Sequence, residues 1–328
     1  MLFVRAIHIG ASVLAAGAFA FLLFVARPAC EGKEAREAGE AVERWLWWLS
    51  GWSLLAALVS WLVWLGLVTA SMSGLPLSQA MRLEPIGTVL THTTFGHVWT
   101  LRVALMAVLA AFLLFRKGTR PGVYRLPVTG ACLTGGLLMT LAWAGHAVAT
   151  ESLGLLHLAA DAVHLLAAGL WLGALVPLLL VIGRARAYGG PGWVAFAVIA
   201  TERFSTLGMI AAVGLLITGL MNACFLVGSF AALVDTPYGR LILVKIALFA
   251  VVGSIAAVNR LMLQPRLLAG LSGQGTPSSA LDRLWQNVVA EICLGALILL
   301  VVGALGITPP AFHMRRHMHP HMQGTSAN

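Results

Sequence analysis

Two histidines and one aspartate share one stripe of an apolar segment in the middle of the chain. His157, Asp161 and His164 stand at positions i, i+4 and i+7, which places their side chains on one face of an α-helix. Imidazole and carboxylate groups bind transition metals. With a rise of about 1.5 Å per residue, the two histidine backbones are about 10 Å apart, too far to share one ion without strain. Asp161 therefore either completes a site with one histidine or orients it, and other helices must supply further ligands.

The C-terminal tail carries a second concentration of metal-binding side chains. Imidazole and thioether groups are interleaved there, and thioether sulfur favours Cu(I) in particular. These residues are His313, Met314, His317, Met318, His319, His321 and Met322. A solvated flexible tail and a segment that captures metal loosely are compatible interpretations, so we predict both for residues 307–328.

The rest of the chain predicts the elements that must position these residues. Of the 328 residues, 59% are hydrophobic and 10% are charged, so lipid must cover much of the surface. The formal charge of +9 is spread over short loops without a basic run, which argues against nucleic acid as a partner. Eight stretches are long enough to cross a bilayer, and the predicted fold over residues 1–306 is an all-α polytopic membrane bundle. The stretches are 2–26, 45–70, 97–115, 125–145, 155–182, 204–228, 238–258 and 285–306.

The loop charges predict the orientation of the bundle. Loops one, three, five and seven hold nearly all of the loop lysines and arginines, whereas loops two, four and six hold only Arg82 and Arg240. Positively charged loops remain in the cytoplasm, so we expect both termini outside, in the periplasm if the membrane is a bacterial inner membrane.

On this topology the histidines crowd toward the outer face. His8 and His146 lie at comparable depth near the same face as the stripe, His97 is within reach of it, and none of the ten histidines faces the cytoplasm. We therefore predict a metal site between spans one, three, four and five. The alternative for a single membrane histidine such as His8 or His97 is an interhelical hydrogen bond.

Asp161, Arg102 and Lys245 are charged side chains within the predicted spans, near the outer face. Asp161 would cost about 2.5 to 3.5 kcal/mol in an apolar helix, so we expect it to face the bundle interior. Arg102 and Lys245 either balance such carboxylates or, as we expect, snorkel to the interface.

Several short motifs occur in order along successive spans. With them, the chain resembles the bacterial copper resistance protein CopD family over most of its length. The motifs are Thr93-Thr94-Phe95-Gly96 with Trp99 and Arg102, Ala144-Gly145-His146-Ala147, His157 with Asp161 and His164, Trp171-Leu172-Gly173, Phe204-Ser205, Thr218-Gly219, Tyr238-Gly239 with Lys245, and Asn259-Arg260.

The resemblance implies a function that the residues alone do not define. Members of that family are eight-span inner-membrane proteins thought to move copper between periplasm and cytoplasm, often beside a periplasmic copper carrier of the CopC type. The resemblance links His146, His157, Asp161 and His164 to copper, as Cu(I) or Cu(II). The His/Met tail is not part of the family pattern.

Three functions from different classes follow from these features. The leading hypothesis is a non-enzymatic copper permease or transfer protein, and the lack of a P-loop or a Cys-Pro-Cys motif argues against ATP-driven pumping. A haem-binding electron-transfer protein is the second, because membrane histidines also ligate haem iron. A copper sensor or assembly factor that does not transport is the third.

Overall fold

Eight long apolar helices make up the fold. A computed structural model describes residues 1–30, 33–115, 125–144, 154–272 and 278–309. In these ranges the chain is helical, and eight helices are long and apolar enough to cross a membrane, which confirms the predicted fold class. They are α1 (Leu2–Ala29), α2 (Ala35–Ser73), α3 (Thr94–Phe115), α4 (Leu126–Trp143), α5 (Gly154–Tyr188), α6 (Pro191–Val227), α7 (Pro237–Leu271) and α8 (Ser278–Leu305).

Short helices connect some of the spanning helices. Leu77–Ala80 and Leu83–His92 lie between α2 and α3, and Phe230–Asp235 lies between α6 and α7. At one end of the bundle α1 begins and α8 ends, since an added Cβ at Gly303 of α8 would contact the backbone of Leu2. We call this the terminal end, and the other the loop end.

At the loop end, four helices extend seven or more residues past their predicted spans. α2 and α6 begin 10 or more residues early, α7 continues to Leu271, and α8 begins at Ser278. Hydropathy identifies only the apolar part of a helix, whereas polar residues continue the same hydrogen bonding beyond it. Gly189, with a φ of +59°, ends α5, and Pro191 begins α6.

α1 is the central helix of the bundle. In its most apolar stretch 72% of residues are buried, against 6% for the corresponding stretch of α7. α1 packs against α2, α4, α5 and α8. Lipid therefore covers much of α7, whereas α1 is enclosed by protein.

A pair of glycines brings α1 against α5. A Cβ added at Gly17 would overlap the backbone of Gly173, and one added at Gly173 would overlap the carbonyl of Val13. Gly173 ends a π-helical segment, Gly169–Gly173, which interrupts α5. The two backbones can approach this closely only because neither residue carries a side chain.

We expect Gly17→Ala to lower the stability of the folded protein. The added methyl group must push α1 away from α5, and overpacking of this kind costs about 1–3 kcal/mol. The thermal unfolding midpoint in detergent measures the effect. Gly51→Ala in α2 is the matched control, because a Cβ there meets nothing within 4 Å. Equal midpoints for the two variants would show that the glycine contact is not needed.

Candidate functional site

A cavity of about 390 Å³ lies beside the stripe of α5 at the terminal end of the bundle. His157, Asp161 and His164 all line it, together with residues of α1, α6, α7 and α8. Asp161 therefore faces the interior of the bundle, as its charge predicts. We call this space the outer cavity.

His164 is held in one tautomer by partners on two other helices. Lys245 Nζ of α7 lies 3.3 Å from His164 Nε2, and Thr218 Oγ1 of α6 lies 2.9 Å from His164 Nδ1. An ammonium group only donates hydrogen bonds, so Nε2 accepts and Nδ1 donates to Thr218. Thr218 in turn donates to the carbonyl of Gly214 at 2.6 Å. The Nε2 lone pair therefore points toward Lys245, while the other ring nitrogen is anchored.

Asp161 is held from α6. Asn222 Nδ2 donates to Asp161 Oδ1 at 3.2 Å. Among the described residues, none makes a hydrogen bond with the buried amide oxygen of Asn222, although Asn222 lines the outer cavity. Leaving a buried acceptor unpaired is costly, and such atoms mark sites where a cation or water binds. Asp161 and Asn222 therefore bring two kinds of oxygen donor to one cavity.

Lys245 places a positive charge among these groups. It lines the outer cavity beside His164, and its charge interacts with that of Asp161. The prediction that Lys245 snorkels to the interface was wrong, because an interior carboxylate and an imidazole offer the ammonium polar partners there. The other possibility, that the positive charge of Lys245 balances the negative charge of Asp161, agrees with the structure.

His157 lies one turn from Asp161, toward the start of α5. Its side chain is 1% exposed, and its ring packs on Phe225 of α6 with 4.9 Å between centroids. Tyr238 of α7, 3% exposed, also lines the outer cavity.

The outer cavity does not hold a complete set of metal ligands. In the part of the chain that the structure describes, no three His, Cys, Asp or Glu side chains come close enough together to hold a metal ion. His164 Nε2 and Asp161 offer strong donors, and the oxygen of Asn222 is a weaker one. A bound ion needs these donors to converge, or needs a ligand from outside the described ranges, such as His146.

His8 belongs to a separate cluster in the N-terminal half. Its Nε2 accepts from Arg102 Nη2 at 2.7 Å, and its Nδ1 donates to the carbonyl of Ala57 at 2.9 Å. Its ring stacks on Trp61 with 4.6 Å between centroids. His8 therefore makes interhelical hydrogen bonds, the alternative role given for it in the sequence analysis. It does not line the outer cavity.

Arg102 is the centre of this second cluster. It is 0% exposed, donates from Nη1 to the carbonyl of Leu137 at 2.7 Å and to Thr140 Oγ1, and lies over the Trp61 ring. The prediction that Arg102 snorkels to the interface was wrong, because carbonyl, hydroxyl and imidazole acceptors satisfy it inside the bundle. Arg102 thus joins α3 to α1 and α4.

The remaining predicted ligands lie elsewhere. His97 is exposed near the start of α3 and does not line the outer cavity. His146 and the tail residues lie outside the described residues. These are His313, Met314, His317, Met318, His319, His321 and Met322.

Sequence reasoning missed the partners that α6 and α7 supply. We predicted neighbours from spans one, three and four, but the polar side chains that contact His164 and Asp161 include Thr218, Asn222 and Lys245 of spans six and seven. The signal for Asn222 was its amide in the middle of an apolar helix, where a polar group is costly without a partner.

The fold and the cavity define a class of protein: a polytopic helical membrane protein with a cavity between its helices that apolar and a few charged or polar side chains line. Comparison with known families is more specific. The family model for copper resistance protein D matches residues 198–305, and the model for the copper resistance protein D-like N-terminal domain matches residues 1–158. The chain belongs to the copper resistance protein D family.

Curated relatives cover most of the chain. Inner membrane protein YebZ of Escherichia coli (strain K12) is 30% identical over 67% of this chain and 70% of its own length. Copper resistance protein D of Pseudomonas syringae pv. tomato is 29% identical over 80% of this chain and 83% of its own length. Copper transport protein CutJ of Bacillus subtilis (strain 168) is 29% identical over 56% of this chain, which spans 33% of that relative. No solved structure gives a significant match to the chain.

Proposed function

We propose that this protein binds copper ions in the outer cavity and moves them between periplasm and cytoplasm across the inner membrane. The observation that carries the proposal is the cavity that His164 and Asp161 both line, in which Thr218 anchors one imidazole nitrogen while the other, next to Lys245, is an acceptor. A metal-binding histidine is commonly oriented in this way. Family membership supports copper as the ion. Two relatives, a copper resistance protein and a copper transport protein, are also named for copper.

The proposed orientation places the outer cavity near the periplasm. The basic loops lie at the loop end, so the positive-inside rule assigns that end to the cytoplasm and both termini to the periplasm. The name of the relative, inner membrane protein YebZ, supports the inner membrane as the location. A periplasmic copper carrier of the CopC type is the partner that we propose as donor, with the tail of residues 307–328 as a loose capture segment.

Copper entry exchanges one cation for another in the outer cavity. Lys245 occupies the lone pair of His164 Nε2 before copper arrives. An incoming ion takes this nitrogen, and Asp161 offsets its charge. The ammonium of Lys245 is displaced and repels the ion, which favours its release.

His164→Ala is expected to lower copper binding by about 10–100-fold, because it removes Nε2, the imidazole nitrogen proposed to bind the ion in the outer cavity. Copper bound to the purified protein, measured by elemental analysis after equilibrium dialysis, gives the result. His92→Ala is the matched control, since His92 is exposed on the connecting helix before α3.

Three results would contradict the proposal. Equal copper binding by His164→Ala and wild type removes the outer cavity as the site. A Soret band in the purified protein would indicate bound haem instead of copper. A haem iron could bind His164 only by displacing Thr218 or Lys245 from its ring nitrogens. Copper binding without any flux into cells indicates a sensor or assembly factor.

A further inference from the structure

A second cavity of about 230 Å³ lies between α5, α6, α7 and α8, on the loop side of the outer cavity. We call it the inner cavity. Its polar lining comes from Thr201, Ser205, Asn259, Arg260, Gln264 and Glu291. Asn259 and Lys245 both lie on α7, about 21 Å apart along the axis at about 1.5 Å per residue. The two cavities therefore occupy different depths of the same four helices.

Glu291 is the buried carboxyl of the inner cavity. It lies in the middle of α8 and is 2% exposed. Carboxyl groups inside membrane helices are rare and costly, and they mark ion or proton pathways. The copper site proposed above does not use Glu291.

A relay of two asparagines fixes which atoms face Glu291. Asn287 Nδ2 donates to Asn259 Oδ1 at 2.7 Å, and Asn259 Nδ2 donates to Glu291 Oε1 at 2.7 Å. The amide oxygen of Asn259 is therefore turned away from the carboxyl group. With an N–H donor on one of its oxygens, the carboxyl group of Glu291 can bind a proton on the other oxygen.

The charged surroundings of Glu291 are simple. Among the described residues that line the inner cavity, Arg260 of α7 is the other charged side chain, and its Nη1 donates to Ser205 Oγ at 2.8 Å. α5 and α6 contribute apolar and hydroxyl side chains to the lining, and α1, which also packs on α8, contributes none. Arg260 thus makes its hydrogen bond to Ser205 of α6, whereas the Glu291 carboxyl group accepts its hydrogen bond from Asn259.

Trp171 separates the two cavities. It lines both of them and packs edge-on against Phe249 of α7, with 5.4 Å between centroids. Trp171 lies in the π-helical segment of α5, and π-helical segments are frequent at functional sites because the helix can shift there. A shift of this segment would change the barrier between the cavities.

We propose that Glu291 is a proton-binding site that exchanges with water at the loop end through the inner cavity and couples proton movement to copper movement. Protonation places the proton on a carboxyl oxygen, and release returns it to water, so the chain changes by one charge. The coupling rests on the function proposed above, whereas proton binding itself does not.

Infrared difference spectra between acid and alkaline pH test proton binding. We expect a carbonyl band of a protonated carboxyl group that is lost in Glu291→Gln, which keeps an acceptor for Asn259. The band should remain in Asp161→Asn and in Glu202→Gln, an exposed carboxyl on α6. Glu291→Asp should show a shifted band. Identical spectra for Glu291→Gln and wild type at every pH would overturn the proposal.

Copper uptake into proteoliposomes with and without a pH gradient tests the coupling. A gradient should accelerate uptake severalfold in wild type and not at all in Glu291→Gln, whose equilibrium copper binding stays at the wild-type level. Equal acceleration in both proteins would overturn the coupling. If the Asp161→Asn variant bound copper as well as wild type, the proposed copper site would be wrong. The infrared evidence for proton binding by Glu291 would not be affected.

Discussion

Cells that carry Asp161→Asn are expected to lose copper uptake and to accumulate no more copper than cells without the protein. The substitution keeps the size of the side chain and the contact with Asn222, but it removes the negative charge that offsets a copper ion in the outer cavity. Lys245 then remains as an uncompensated cation beside the entering ion. Loss of a ligand or its orienting partner lowers metal affinity by about 10–100-fold. Total cellular copper, measured by elemental analysis at equal protein levels, gives the result.

Two comparisons make this experiment specific. Asp235→Asn removes an exposed carboxylate near the same end of the bundle and should leave uptake unchanged. Deletion of residues 307–328 should weaken uptake without abolishing it, because the tail is proposed only to capture the ion. Wild-type uptake by the Asp161 variant would refute the proposed route.

The fold was predictable because its cause is local in the sequence. A run of about 20 apolar residues needs a helix in lipid whatever its neighbours are. The ends of α2, α6, α7 and α8 were missed, since the polar residues that extend these helices leave no hydropathy signal.

The outer cavity was predictable in part. The spacing of His157, Asp161 and His164 placed all three on one face of α5, and the cost of a membrane carboxylate pointed that face inward. Their neighbours depend on which helices pack together, and a single sequence does not specify this. His8 shows the limit: its depth was compatible with the site, but the direction of its ring is set by Trp61 and Arg102.

Replacement of Lys245 by Gln is expected to tighten copper binding and to slow copper transfer. Two unit charges about 4 Å apart interact by about 4 kcal/mol at an effective dielectric constant of about 20. Removing even a third of such a repulsion lowers Kd about tenfold. The neutral amide also competes less well for His164 Nε2, which Lys245 occupies. Competition with a chelator measures the Kd, and flux into proteoliposomes measures the transfer.

Arg240→Gln separates this effect from a general loss of positive charge. Arg240 lies on the same helix, is exposed, and donates to the carbonyl of Val234 at 3.0 Å, away from His164. Its replacement should leave both Kd and flux unchanged. If Lys245→Gln also left Kd unchanged, the ammonium would not compete with copper, and exchange of cations in the outer cavity would be excluded. Tighter binding with slower flux requires that the same lysine both opposes entry and drives release.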